Sequence, residues 1–285
     1  MTNKVLITGG MGHIGTHISR FLIVKGYDVS ILDNFYNNAV DSIDGAKIYR
    51  MSAQKIASIN VKFDYVFHFG EFSRVEQSFD FFDECIEYNR NSFSAVVDYC
   101  KSVNAKLIYS ASSTITGDNG SNRYESPYAF TKYQNVEYLH TFGKWFDLNY
   151  SIIYFSNVYG GLESADEKMG TVIAKFITAK KNRDSYVKIT SPGTQRRYFT
   201  HINDTISAIY LVMKYGGKDD YFVAAEESYS IIEVANMLGI EYVLTPTRLG
   251  NRISSDIDCS RIKDLGWRCN YKLSSYLEKI RNDYE

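Results

Sequence analysis

The sequence predicts an α/β protein built on a doubly wound parallel sheet, followed by a smaller mixed α/β unit. Three observations carry this. A glycine-rich turn sits between a first strand and a first helix, an acid closes the second strand, and strands then alternate with helices over roughly the first 160 residues.

Lys4 to Thr8 is short and apolar enough to be a buried strand. After the glycines, Ile14, Ile18, Phe21 and Leu22 recur at helical spacing until Gly26, and Asp28 to Asp33 forms a second strand. Strand, turn, helix, strand is a right-handed βαβ unit, which makes the two strands parallel. Phe63 to Phe69 is the next strand, Phe79 to Val103 carries one long helical pattern, and Lys106 to Ser110 is a strand again. Ser126 caps a helix with Pro127 in its first turn, running to about Trp145, and Tyr150 to Phe155 closes the regular series. Beyond about Gly161 the pieces shorten: a helix near Thr171 to Lys180, a strand at Val187 to Thr190, a helix at Asn203 to Tyr215. We therefore expect one unit over residues 1–165 and a second over 166–285, with some elements crossing between them and a cleft where they meet.

Composition removes several classes of function. The 285 residues hold 32 basic and 33 acidic side chains, 45% hydrophobic and 23% charged, for a net charge of −1. Such a balance offers no basic field to nucleic acid or to an anionic membrane. Apolar runs of four to six residues are far short of the ~20 that span a bilayer, and MTNKVLITGG lacks a secretion signal, so a cytoplasmic location is expected. Cys85, Cys100, Cys259 and Cys269 show neither ligand spacing nor a disulfide pattern, and no metal is expected.

In TGGMGHIGTH, Gly9, Gly12 and Gly15 let the chain turn tightly, approach a pyrophosphate and bring helix against strand, with His13 and Ile14 between them. Asp33, 18 residues past Gly15, is placed to accept hydrogen bonds from an adenosine ribose and to repel a 2′-phosphate. The cofactor expected is NAD. Tyr128 and Lys132 project from one face of the capped helix. A free tyrosine titrates at about pH 10, and a close ammonium with an oxidised nicotinamide would stabilise its anion as a base for a sugar or alcohol hydroxyl. SASST follows its strand at the cleft, and Ser112 is the hydroxyl expected beside Tyr128.

TGGMGHIG, ILDN, FHFG, Asn89, SASST, SPYAFTK, YFSNVYG, RRYFTHINDTISAI and DCSRIKDLGW stand here in the order of the extended short-chain dehydrogenase/reductases. The chain resembles in particular the NAD-dependent epimerase/dehydratase group that acts on nucleotide sugars. That resemblance implies a Rossmann domain, a catalytic triad of Ser112, Tyr128 and Lys132, and Lys132 on the nicotinamide ribose. It implies Asp33 and Asn34 at the adenosine ribose, and Phe69, Gly70 and Asn89 along the cofactor. Asn157 would touch the substrate's nucleotide side, while Arg197 and Arg248 would grip its diphosphate, with Arg196 leaving the register open. A homodimer through the Ser126 to Trp145 helix is also implied.

Ser113 and Thr114 stand where the group's dehydratases carry an Asp-Glu pair, so elimination of water is not expected. Ser52, Glu71 and Thr116 depart from the residues usual at their places. The expected activity is epimerisation of a UDP-hexose or UDP-N-acetylhexosamine at C4 through a 4-keto intermediate, the resemblance implying that Ser255 leaves room for the N-acetyl group. A 4-keto-sugar reductase, a uronic acid decarboxylase and an NAD-binding sensor without turnover are the alternatives.

Overall fold

The computed structural model describes residues 2–247 and 257–284; Arg248 and Ser255 lie outside them. Strand β1 (Lys4–Thr8), helix α1 (His13–Val24) and strand β2 (Asp28–Asp33) form the expected unit, and a short β3 (Lys47–Arg50) pairs beside β2. Next come β4 (Tyr65–His68), α2 (Gln77–Asp80), α3 (Phe82–Ile86), α4 (Ser92–Val103), β5 (Lys106–Ser112), α5 (Pro127–Phe146) and β6 (Tyr150–Phe155). The later pieces are β7 (Val158–Tyr159), α6 (Val172–Asn182), β8 (Val187–Thr190), β9 (Arg196–Tyr198), β10 (Thr200–His201), α7 (Ile202–Tyr215), β11 (Asp220–Val223), β12 (Ser228–Ser230), α8 (Ile231–Leu238), β13 (Tyr242–Thr245), α9 (Ser260–Asp264) and α10 (Leu273–Asp283).

Seven strands make one parallel sheet in the order β3-β2-β1-β4-β5-β6-β11. Its inner strands are buried almost end to end, β1 from Val5 to Thr8 and β5 from Lys106 to Ala111, because helices cover both faces. On one face Val96, Val97, Leu139 and Ile152 share a core; on the other, Ile18, Leu22, Ile209 and Val212 do. The chain winds outward in opposite directions from β1 and β4, which opens a crevice at the carboxyl ends of the strands between them.

One expectation changes in detail. The pattern over Phe79 to Val103 is not one helix: the chain breaks at Phe81 (φ −115°, ψ 52°) and widens into a π-type turn over Glu87–Asn91 before α4. Its apolar positions keep helical spacing across the break, which hides the break from the pattern. Residues 202–223, past the 165/166 boundary, return to the large sheet as α7 and β11, and β11 pairs with β6. The remaining late elements build a second core around Ile173, Phe176, Ile189, Val234, Leu238 and Leu277.

Candidate active site

The crevice at the strand ends opens into one cleft of about 1350 Å³, shared between the sheet and the second lobe. That exceeds the ~300–1,000 Å³ of a pocket for a single small ligand. Gly9, Gly12, His13, Ile14, Gly15, Asp33, Asn34, Phe69, Gly70, Ser112, Tyr128, Lys132, Asn157 and Arg197 all line it, so the structure brings these expected residues onto one surface.

The turn after β1 is shaped by close contact. A Cβ on Gly15 would lie 2.1 Å from the Gly9 carbonyl oxygen, and one on Gly9 (φ +67°) would lie 2.6 Å from Gly70 Cα. Glycine is required at both places. At Gly12 the nearest atom would be 3.4 Å away, so its freedom is kept for the cleft side. Helix α1 starts at Gly12 with no side-chain cap and no acid in its first turn. Its first amides and the positive end of its dipole therefore face the cleft, as a pyrophosphate requires. Burial, with His17 and Arg74 nearby, pushes His13 down to about 3, and its buried Nε2 has no hydrogen-bond partner among the described residues. A neutral ring and open amides suit a dinucleotide.

Asp33, at the end of β2, is buried and accepts from the Met11 amide at 2.9 Å and the Phe35 amide at 2.8 Å. Burial raises its pKa, and those two amides and Arg50 oppose the rise. Arg50 sits beside it at the end of β3, its guanidinium 3.5 Å from the Phe35 ring centre. The segment ILDNFYNN holds no arginine, yet sheet pairing supplies one.

At the other end of the cleft, Ser126 Oγ accepts from the Ala129 amide and Pro127 opens α5, which fixes the first turn that carries Tyr128. Tyr128 packs with Phe72 and Cys85, and Met169 of the second lobe lies against them. Its backbone amide donates to Ser78 Oγ at 3.2 Å, while its hydroxyl has no hydrogen-bond partner among the described residues. One turn on, the Lys132 ammonium is almost completely buried, donates to the Ser110 carbonyl at 2.5 Å and pairs with Glu71. Ser112 ends β5; its Oγ donates to Thr114 Oγ1 at 3.0 Å and accepts from the Thr114 amide at 3.2 Å. It is thus a turn serine and a cleft serine at once.

Some expected residues are placed differently. Asn89 does not line the cleft: it is fully buried behind the wall, accepting from the Phe72 amide at 2.7 Å and donating to Thr131 Oγ1 at 3.0 Å. Its amide braces the loop after β4. Of the two neighbouring arginines, Arg196 pairs with Glu233 and bonds Ser228 on the outside, while Arg197 lines the cleft. Asn157 Nδ2 donates to the Tyr198 carbonyl at 2.9 Å, tying the segment after β6 to β9.

Sequence reasoning did not find the polar cluster beneath Lys132. Glu71, 2% exposed at its side chain, receives Lys132 on Oε2, and on Oε1 it accepts from Asn135 Nδ2 at 3.1 Å and Tyr109 Oη at 3.3 Å, with His68 Nε2 3.5 Å away. Burial pushes this carboxyl upward, but Lys132 and His68 outweigh it and hold it below the usual range. Burial and Glu71 push the Tyr109 phenol well above its ordinary value. Arg74, also on the cleft wall, donates through Nε to the Met169 carbonyl at 2.6 Å. The available signal was an acid directly after FHFG and a base three residues on, where a strand of the sheet ends at the cleft.

A glycine turn at an open helix end, a buried acid closing the second strand and a hydroxyl, tyrosine and lysine on the same cleft define a dinucleotide-dependent enzyme of the Rossmann type. The chain belongs to the NAD dependent epimerase/dehydratase family, whose model it matches over residues 5–225. It is 26% identical over 308 residues to the UDP-glucose 4-epimerase of Lactobacillus helveticus, covering 93% of this chain and 92% of that one. Its fold superposes on the Thermus thermophilus UDP-glucose 4-epimerase in complex with NAD with a TM-score of 0.89 at 21% identity, over 99% and 98% of the two chains. With the UDP-N-acetylglucosamine 4-epimerase of Methanobrevibacter ruminantium M1, solved with UDP-N-acetylmuramic acid, the TM-score is 0.88 at 25% identity, over 99% and 98%.

Proposed function

We propose that the protein is an NAD-dependent epimerase acting at C4 of a UDP-hexose or UDP-N-acetylhexosamine. The observation that carries this is the single cleft with Asp33 and the glycine turn at one end, Tyr128, Lys132 and Ser112 at the other, and Arg197 across from them on the second lobe. The uncapped end of α1, the two crowded glycines and the orphaned His13 nitrogen fit a dinucleotide. Asp33 and Asn34 would hold its adenosine ribose, Phe69 and Gly70 its flank, and Lys132 its nicotinamide ribose. Bound NAD supplies the acceptor, and then the donor, of one hydride.

Tyr128 takes the proton from the sugar hydroxyl and later gives it back, and Lys132 holds positive charge beside the phenol while it is an anion. Ser112 hydrogen-bonds the same sugar oxygen and keeps it in reach. Arg197 grips the diphosphate while the 4-keto sugar turns about its link to it, so both faces of C4 are presented in turn. Ser113 is buried and Thr114 is bound to Ser112, which leaves no acid-base pair there for elimination. The relatives' names support uridine as the base.

NMR of UDP-glucose and UDP-N-acetylglucosamine incubated with the enzyme tests this directly. Inversion of the H4 coupling without added cofactor is expected; consumption of stoichiometric NADH would mark a reductase instead. Exposed Phe130, Trp145 and Phe146 on α5 support a homodimer through that helix, which sedimentation would register as twice the chain mass.

A further inference from the structure

Lys132 has three ammonium protons, and the cleft spends two of them before any ligand arrives: one on Glu71 and one on the Ser110 carbonyl. The Glu71 carboxylate is nearly sealed, held by Lys132 on one oxygen and by Asn135 and Tyr109 on the other. A sealed carboxylate with this many donors is ionised, so Glu71 and Lys132 together carry no net charge. Arg74, coupled electrostatically to Tyr128, is a second cation on the same wall. Without Glu71 this end of the cleft would hold two cations where an oxidised nicotinamide, itself positive, must enter.

We propose that Glu71, a positioning residue acting through its buried ion pair with Lys132, sets the charge balance of the nicotinamide end and makes the site favour oxidised over reduced cofactor. The inference rests on the proposed reading for where the nicotinamide lies. At an effective dielectric of about 20, one unit charge about 12 Å away biases the two charge states by about tenfold. The groups that share that field are Lys132 and Tyr128 on α5, Arg74 after β4, His68 on β4, Tyr109 on β5 and His13 in the glycine turn. His13, driven down to about 3, adds no charge near neutrality.

The test reads binding and not turnover. Full-length protein is equilibrated with NAD and NADH mixtures of known ratio, and the reduced fraction that stays bound is measured by nicotinamide fluorescence. Glu71→Gln, which keeps the shape and most hydrogen bonds, is expected to move the ratio about tenfold toward NADH, while Glu71→Asp stays within about threefold of wild type. In Lys132→Met the sealed Glu71 carboxyl, without its cation, takes up a proton, so the pair stays neutral and the ratio is expected to stay within about threefold of wild type. A Glu71→Gln ratio within twofold of wild type, or equal weakening of both forms, would overturn the proposal. Should Glu71→Gln bind no cofactor, Glu71→Ala decides: a shift toward NADH supports the charge role and an unchanged ratio ends it. Wild-type protein that holds NAD but leaves UDP-sugars unchanged would sink the epimerase reading and leave this one standing.

Discussion

At Asp33 the backbone uses half of a carboxylate's accepting capacity. Its two oxygens each take one amide, from Met11 and Phe35, and in the proposed reading their second lone pairs take the two ribose hydroxyls. A 2′-phosphate would instead meet a buried negative charge, so binding of NAD is expected to exceed that of NADP. Arg50 alongside makes the discrimination rest on a single residue: in Asp33→Ala that guanidinium would be free to take the phosphate. The expected outcome is a gap that closes by about tenfold or more in calorimetry of the two cofactors, and an unchanged preference would reject the assignment. Tyr128 is tested by kinetics. Tyr128→Phe keeps the ring that packs on Phe72 and Cys85 and loses only the hydroxyl, so turnover should fall by about 10²–10⁴-fold with NAD affinity kept. Ser112→Ala should lose less, because Ser112 positions and Tyr128 carries the proton. Near-normal turnover in Tyr128→Phe would remove the tyrosine from the chemistry.

Helix α5 does two jobs, presenting Tyr128 and Lys132 at its start and tying the sheet together further along. His140, near its middle, lies 2.9 Å from Asp220 of β11, the strand that returns from beyond the second lobe. The hydrogen bond to Asp220 raises the imidazole above its ordinary value, with burial opposing. A raised histidine stabilises the fold fully below the unfolded pKa of about 6.5 and loses that contribution as pH rises through the folded one. Denaturant titrations should therefore show wild type ahead of His140→Gln at pH 5.5, by at most about 1 kcal/mol for a part-exposed pair, and level with it at pH 9. A difference that grows with pH would contradict the pairing. Lys106 makes a second tie: its ammonium, at the start of β5, donates to the Val212, Met213 and Gly216 carbonyls that close α7. Such long-range ties are what the sequence does not display. Strands β1, β2, β5 and β6 and helices α1 and α5 are legible, because each is a buried apolar run or a periodic stretch bounded by its own glycine, proline or serine. The four-residue β3 carries no such signal and exists through its pairing with β2. In the site, residues fixed by local turn chemistry, such as Gly9, Gly15 and Ser112, could be read from neighbours in sequence. Glu71 could not, because its meaning depends on Lys132, Asn135 and Tyr109, which come from elements 38 to 64 residues away.

Across the whole molecule the chain visits the second lobe twice. It leaves the sheet after β6, returns through α7 and β11, and leaves again into β12 and α8. The cleft is therefore walled by two separately built cores, one under Tyr128 and one under Arg197, joined by contacts such as Asn157 to Tyr198 and Met169 to Tyr128. This division predicts a division of kinetic labour. Groups on the sheet side should govern the chemical step, and groups on the second lobe should govern how firmly the nucleotide sugar is held. If Arg197 grips the diphosphate as proposed, Arg197→Ala removes charge-assisted hydrogen bonds worth about 1.5–3 kcal/mol and is expected to raise KM for UDP-sugars by about 10–100-fold. A diphosphate so held is bound alike before and during hydride transfer, so kcat should change far less than KM. NAD affinity should hold, since Arg197 stands across the cleft from the glycine turn. Initial rates over a range of UDP-sugar, with calorimetry of UDP alone, separate these effects. Loss of kcat at constant KM, or unaltered UDP affinity, would show that Arg197 does not anchor the substrate.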